Sequence, residues 1–188
     1  MTKLLGVVLC GGQSTRMGRD KGLIPIQDTV WAKYVAAKFE ALQLPVVVSV
    51  NPAQRDEYSK LFPAEHLVVD KVPAVEGPLQ GLLSVHQQYP DYDLLLLACD
   101  MIDMEEATLA YLMAAYESEE HYDFYAFMSG DFYEPFCAIY SAAGLKAVTQ
   151  KVATGALDNF SLMHVLRSGN TRGLPLLDSN SFRNYNTL

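Results

Sequence analysis

Positive charge is in short supply: 14 Lys and Arg stand against 22 Asp and Glu, for a formal net charge of −8 over 188 residues. That balance excludes a broad cationic surface for a nucleic-acid backbone or an anionic membrane, so any anionic ligand has to be held locally. Long apolar runs are missing too. No stretch approaches the roughly 20 residues that cross a bilayer, and the apolar part of "MTKLLGVVLCGG" is too short for a signal peptide. A cytoplasmic protein is expected. Cysteine is sparse and scattered, and Cys10, Cys99 and Cys137 form no Cys-x-x-Cys pair, which favours reduced, buried thiols over a disulfide or a metal cluster. His66, His86, His121 and His164 show no pairing at ligand spacing either. Repeats, low-complexity segments and linkers are absent. Half of the residues are apolar, enough for one core, so a single domain over 1–188 is expected.

What the chain does have is a series of short apolar runs rich in branched and aromatic residues: "LLGVVLC" (4–10), "PVVVSV" (45–50), "HLVV" (66–69), "DLLLLAC" (93–99) and "DFYAFM" (123–128). Runs that stay apolar at successive positions fit strands covered on both faces. Helical character fills the intervals, over roughly 28–42, 52–62, 78–88 and 104–118, the last with Leu109, Leu112, Met113 and Tyr116 spaced by three and four. Alternating strand and helix predicts an α/β fold with a mostly parallel sheet between helical layers. Beyond residue 130 the pattern changes to a strand at 134–140, helices near 142–151 and 157–167, and a tail rich in Gly, Ser and Asn.

Open sheets of this kind bind ligands at the carboxyl ends of their strands. Gly11 and Gly12 follow the first run, Asn51 the second, Asp70 the third and Asp100 the fourth. All should rim one crevice. The segment "LCGGQSTRMGRDKG" (9–22) is not a P-loop, since Gly12 and Gly18 are six apart and Arg19 follows, and it lacks Gly-x-Gly-x-x-Gly. It still joins two glycines, which allow close backbone approach, to Arg16, Arg19 and Lys21, cations suited to phosphate. Locally this is equally a glycine turn followed by solvated basic residues.

The wider pattern carries more. "LCGGQSTRMGRDKGLI" resembles the signature of the molybdenum cofactor guanylyltransferases, Leu-x-Gly-Gly-x-Ser-x-Arg-Met-Gly-x-Asp-Lys. "EGPLQGLLS" (76–84) resembles that family's Gly-Pro-Leu-x-Gly segment, "ACDMI" (98–102) its Cys-Asp metal motif, and "NYNT" (184–187) its Asn-x-Asn-Thr. The resemblance runs in order from residue 5 to 187. It implies a three-layer α/β/α sandwich with a Rossmann-like nucleotidyltransferase (GT-A-like) fold. It also implies a Mg²⁺-dependent transfer of GMP from GTP to the terminal phosphate of molybdopterin, with release of pyrophosphate. Transient contact with other cofactor-biosynthesis proteins would follow.

The residues suit that chemistry. A phosphate monoester has a second pKa of about 6, so the acceptor is largely dianionic near neutrality and needs no general base. Positioning and charge neutralisation carry such transfers. Asp100, ending a buried run, is the expected metal ligand, because Mg²⁺ takes one or two carboxylates plus phosphate oxygens and water. Asp103 is the expected cap of the helix that follows. Lys21 and Arg16 are assigned to the phosphates and Arg19 to solvent. The backbone of Leu9, Cys10 and Gly11 is expected to meet guanine, with Asn51 and Asp70 as further nucleotide contacts. Gly77, Pro78 and Leu79 should offer helix-start amides to the sugar or the acceptor phosphate. Asn184 and Asn186 match the motif that the resemblance places near the pterin. The alternatives are a cytidylyl or sugar-phosphate nucleotidyltransferase, or a nucleotide-binding regulator without turnover.

Overall fold

The computed structural model describes residues 3–11, 20–118, 121–176, 178–183 and 185. The described residues form nine strands and six α-helices: β1 (Lys3–Leu9), β2 (Pro25–Ile26), β3 (Thr29–Val30), α1 (Trp31–Ala41), β4 (Val46–Val50), α2 (Arg55–Tyr58), β5 (Leu67–Val69), α3 (Pro78–Gln88), β6 (Tyr92–Ala98), α4 (Glu106–Tyr116), β7 (Phe124–Ser129), β8 (Phe132–Tyr140), α5 (Ala142–Ala153), α6 (Leu162–Ser168) and β9 (Thr171–Pro175). A seven-stranded sheet in the order β5-β4-β1-β6-β8-β7-β9 forms the middle layer, and β2 and β3 make a separate ribbon. Strand β8 alone runs against its neighbours β6 and β7; the other pairings in the large sheet are parallel. The mostly parallel α/β sandwich expected from the alternation is what forms.

The continuous apolar runs are explained by the two cores they feed. Val8, Val48, Leu95, Leu97, Phe127 and Ile139 point to one face, where Val35, Phe39, Leu109 and Leu112 of α1 and α4 cover them. Val7, Val47, Leu94, Leu96, Ala126 and Ala138 point to the other, against Leu82, Leu145 and Val165 of α3, α5 and α6. Period-two alternation with both faces buried leaves no polar position in the strand centre.

Several local expectations are corrected. The helix expected from 28 starts only at Trp31, after the β2–β3 ribbon whose turn holds Gln27 at φ 51°. The 52–62 helix shrinks to Arg55–Tyr58. The helix expected from 157 begins at Leu162, where the Ser161 hydroxyl caps it by accepting from the His164 amide. The tail contributes β9, an edge strand of which only Leu174 is buried. Helix α4 is preceded by Glu105, which makes no side-chain cap bond, so Asp103 is not its cap. All three cysteines are buried and unbridged, and no described helix is long and apolar enough to cross a membrane.

Candidate functional site

The chain runs from β1 to β4 and β5 on one side and returns to β6 on the other, so the reversal of strand order falls between β1 and β6. A crevice opens at the carboxyl ends of strands at such a reversal. The register pairs Leu9 with Ala98, and the Cys99 amide donates to the Leu9 carbonyl at 3.1 Å, so Cys10–Gly11 and Cys99–Asp100 leave the sheet side by side.

At this point Lys21 Nζ donates to Asp100 Oδ2 at 2.7 Å, with side-chain exposures of 17% and 7%. The two residues are 79 positions apart. Lys21 opens a short 3-10 turn, Lys21–Leu23, which Asp20 caps by accepting from the Gly22 amide at 3.0 Å. Asp100 Oδ1 keeps no protein partner among the described residues. The arrangement presents one largely buried cation and one carboxylate oxygen without a partner among the described residues.

On the β4–β5 side, Asp70 Oδ1 accepts from the Ser49 hydroxyl at 3.0 Å. Burial pushes the Asp70 carboxyl up to about 6 against the opposing pull of that hydrogen bond. Two glycines pack directly on this pair. A Cβ on Gly11 would sit 2.9 Å from Asp70 Oδ2, and one on Gly81 would sit 2.6 Å from Ser49 Oγ. A Cβ at either position would force the Asp70 or Ser49 side chain to move.

A further set of contacts was not visible in the sequence. The Gln54 carboxamide donates to the Cys10 carbonyl at 3.0 Å and to Asp20 Oδ2 at 2.7 Å, and the Tyr58 hydroxyl donates to Asp20 Oδ1 at 2.9 Å. Gln54 thus ties the segment that enters 12–19 to the segment that leaves it. The signal that could have found it is the Asn51–Gln54 spacing: Asn51 Oδ1 accepts from the Gln54 amide while Gln54 Oε1 accepts from the Asn51 amide, a reciprocal turn closure of the capping-box kind.

The residues expected at the site are distributed as follows. Lys21 and Asp100 meet; Gly11 and Asp70 meet. Leu9 and Cys10 are buried, and their backbone groups are taken: Leu9 O by Cys99, Cys10 N by the Ser49 carbonyl, Cys10 O by Gln54. The Gly11 amide also goes to the Ser49 carbonyl at 3.1 Å. The Leu9 and Cys10 carbonyls each keep one lone pair beyond these bonds, and among the described residues the Gly11 carbonyl accepts no hydrogen bond. Asn51 has its side-chain oxygen committed to Gln54. Gly77, at φ 69° and ψ −153°, precedes α3, a conformation that suits glycine, and Pro78 occupies the first helical position. The Gln80 amide is spent on the Gly77 carbonyl at 3.0 Å, and the buried Leu79 can offer its amide alone. Gly12, Arg16, Asn184 and Asn186 lie outside the described residues.

Known proteins are similar in sequence and fold. Residues 6–169 match the model of the MobA-like NTP transferase domain. A molybdenum cofactor biosynthesis bifunctional protein from Synechocystis is 31% identical over 151 residues, which are 79% of this chain and 42% of that protein; the chain thus spans under half the length of this relative. A protein from Pelotomaculum thermopropionicum, named a probable molybdenum cofactor guanylyltransferase, is 27% identical over 192 residues, covering 100% of this chain and 89% of that one. The crystal structure of a molybdopterin-guanine dinucleotide biosynthesis protein A from Archaeoglobus fulgidus superposes with a TM-score of 0.75 at 19% identity, over 97% of this chain and 92% of that one. The fold is similar to that of this neighbour, and with 6–169 matched the chain belongs to the MobA-like NTP transferase domain family and is a nucleotidyltransferase.

Proposed function

We propose that this protein transfers GMP from GTP to the terminal phosphate of molybdopterin, forming the guanine dinucleotide form of the molybdenum cofactor in the cytoplasm, with residues 1–188 acting as one nucleotidyltransferase domain. The observation that carries this reading is the Lys21–Asp100 pair at the β1–β6 reversal. In the transfer an acceptor phosphate oxygen bonds to the α-phosphorus of GTP, and the bond to the β-phosphate oxygen breaks, releasing pyrophosphate. Lys21 offsets charge on the phosphates as a point cation. Arg16 and Gly12 join it by the same reading, and Asn184 and Asn186 belong to the acceptor.

The donor set suits Mg²⁺. Asp100 has an oxygen to give, and the described residues hold no group of three His, Cys, Asp or Glu that could enclose a metal by themselves. The remaining ligands then fall to phosphate oxygens and water, as is usual for this cation. When bound, it supplies charge neutralisation on the phosphates.

Guanine needs acceptors for N1–H and N2–H₂ and a donor for O6. The Gly11 carbonyl and the Asp70 carboxylate are acceptors, and the Asn51 side-chain amide is a donor whose oxygen is already fixed by Gln54. Adenine or cytosine would leave such groups unpaired, at about 1–3 kcal/mol each. The test is pyrophosphate release with molybdopterin and GTP, CTP or ATP. Selective use of GTP is expected. CTP equal to or better than GTP turns the reading to a cytidylyltransferase, release only with sugar phosphates turns it to that class, and nucleotide binding without release turns it to a regulator. Partners in cofactor assembly would meet the protein transiently.

A further inference from the structure

Strand β5 ends one side of the large sheet, and among the described residues it pairs with β4 alone. Its outer edge is open. The Asp70 amide donates to the Val50 carbonyl of β4 at 2.9 Å, and backbone groups of successive strand residues point to opposite sides, so Val68 faces β4 while Leu67 and Val69 face outward. The Leu67 amide is spent on the Ala64 carbonyl, and the Lys71 amide on the Ser84 hydroxyl at 2.9 Å. That leaves the Leu67 carbonyl and both backbone groups of Val69 without a partner among the described residues. Acceptor, donor and acceptor in a row are what an added strand pairs with.

A groove of about 440 Å³ lies along this edge, lined by Leu67, Val69 and Lys71 from the strand and its exit and by Pro52 and Arg55 from the α2 side. No described Asp or Glu lines it. Arg55 and Lys71 are exposed and enter no ion pair among the described residues, while the acids nearest in sequence are engaged elsewhere, Glu57 with Lys60 at 2.6 Å and Asp70 with Ser49 at 3.0 Å. In a chain of net charge −8, an apolar floor flanked by two unpaired cations selects against most of the protein's own surface.

We infer that the β5 edge is a docking site for an extended acidic segment of a partner protein, which adds to the sheet as a further strand, lays apolar side chains on Leu67 and Val69, and sets a carboxylate between Arg55 and Lys71. Backbone pairing supplies the affinity, and the two cations set the sign of the partner. A second copy of the chain fits poorly, because a two-fold contact turns each patch on itself and opposes cation to cation. Docking uses no part of the transfer chemistry, so the inference stands apart from the function proposed above.

The experiment uses the whole chain and a fluorescent peptide, Thr-Val-Thr-Val-Thr-Glu-Thr, read by anisotropy and by hydrogen exchange at the Val69 amide. Saturable binding is expected, with Val69 exchange, fast in the free protein, slowing as the peptide saturates. Replacing the peptide's Glu by Lys should weaken binding by about tenfold or more. N-methylation of alternate peptide amides should abolish binding for one of the two alternating sets and spare it for the other, since only one set faces β5. The surface variants Arg55→Gln and Lys71→Gln should each raise Kd by about threefold, and the double variant by about tenfold. Failure of the Glu peptide to saturate, equal binding of the Lys peptide, or Val69 exchange that is unchanged at saturation overturns the inference. A parent protein that sediments as a dimer with its Val69 amide already protected gives the edge to a second copy, and overturns it as well.

Discussion

Strand β6 carries a buried carboxylate at each end, Asp93 and Asp100, exposed by 4% and 5%. At the amino end Asp93 is saturated: Oδ2 accepts from the Tyr116 hydroxyl and Oδ1 from the Ala142 amide, both at 2.6 Å, so the carboxylate pins α4 and α5 to the sheet. At the carboxyl end Asp100 has Lys21 on one oxygen and, among the described residues, no partner on the other. Burial costs a charged group dearly unless partners compensate, so a carboxylate with open valence is tolerated only beside a cation and where a ligand can complete it. Counting donors thus separates a carboxylate that holds the fold from one held in reserve. Asp20, with three donors, falls with Asp93; Asp70, with Ser49 as its one donor among the described residues, falls with Asp100.

The sharpest way to break this comparison is to neutralise the reserved end. Asp100→Asn should lower turnover by about 100-fold or more, the scale of losing one preorganised electrostatic contact to a transition state, while far-ultraviolet circular dichroism stays that of the parent. Parent-like turnover in a folded variant would falsify the assignment. At the other end, Asp93→Ala should cost about 2–3 kcal/mol in urea unfolding, because a buried hydroxyl and a helix-start amide lose a charged acceptor, with turnover of the folded protein little changed. If the two variants exchange effects, donor count is no guide here.

A smaller effect sharpens the rule. Gln54→Ala removes two donor contacts, one to the Cys10 carbonyl and one to Asp20, and should cost about 1–2 kcal/mol of stability. Nucleotide KM should rise as well, since the two stems of 12–19 are no longer tied. Unchanged KM beside a measurable loss of stability would reduce Gln54 to a structural brace. The smallest effect concerns pH. Asp70 titrates near 6 in the folded protein and lower when unfolded, so the folded state binds its proton more tightly. Its contribution to stability is therefore full below the unfolded value and fades as pH rises towards 6. Stability of the parent minus that of Asp70→Asn, followed from pH 4 to 6.5, should decline with rising pH. A flat difference would place Asp70 in a more solvated setting than its packing indicates.

Much of the fold was legible because strands buried on both faces leave an uninterrupted apolar record. The runs at 4–10, 45–50, 66–69, 93–99 and 123–128 each land within about one residue of a strand. Strand β9 left no such record, since at the sheet edge "TRGLP" buries only Leu174. The β2–β3 ribbon was hidden inside a helical-looking stretch because two-residue strands carry too few positions to show a period. Asp103 looked like a cap by spacing, yet a phenol 82 positions away claims it.

By itself the sequence determined the alternation of strand and helix, the burial of the strands on both faces, and the places where Gly11, Asn51, Asp70 and Asp100 leave their strands, because side-chain periodicity and strand-end position are local properties of the chain. Tertiary structure alone decided which polar groups remain open. It joined the Cys10 carbonyl to Gln54, set Gly11 and Gly81 against the Ser49–Asp70 pair, and left one oxygen of Asp100 without a partner among the described residues. The reason is that hydrogen-bond saturation depends on groups tens of residues apart arriving at the same rim, and no local pattern records how many of them do.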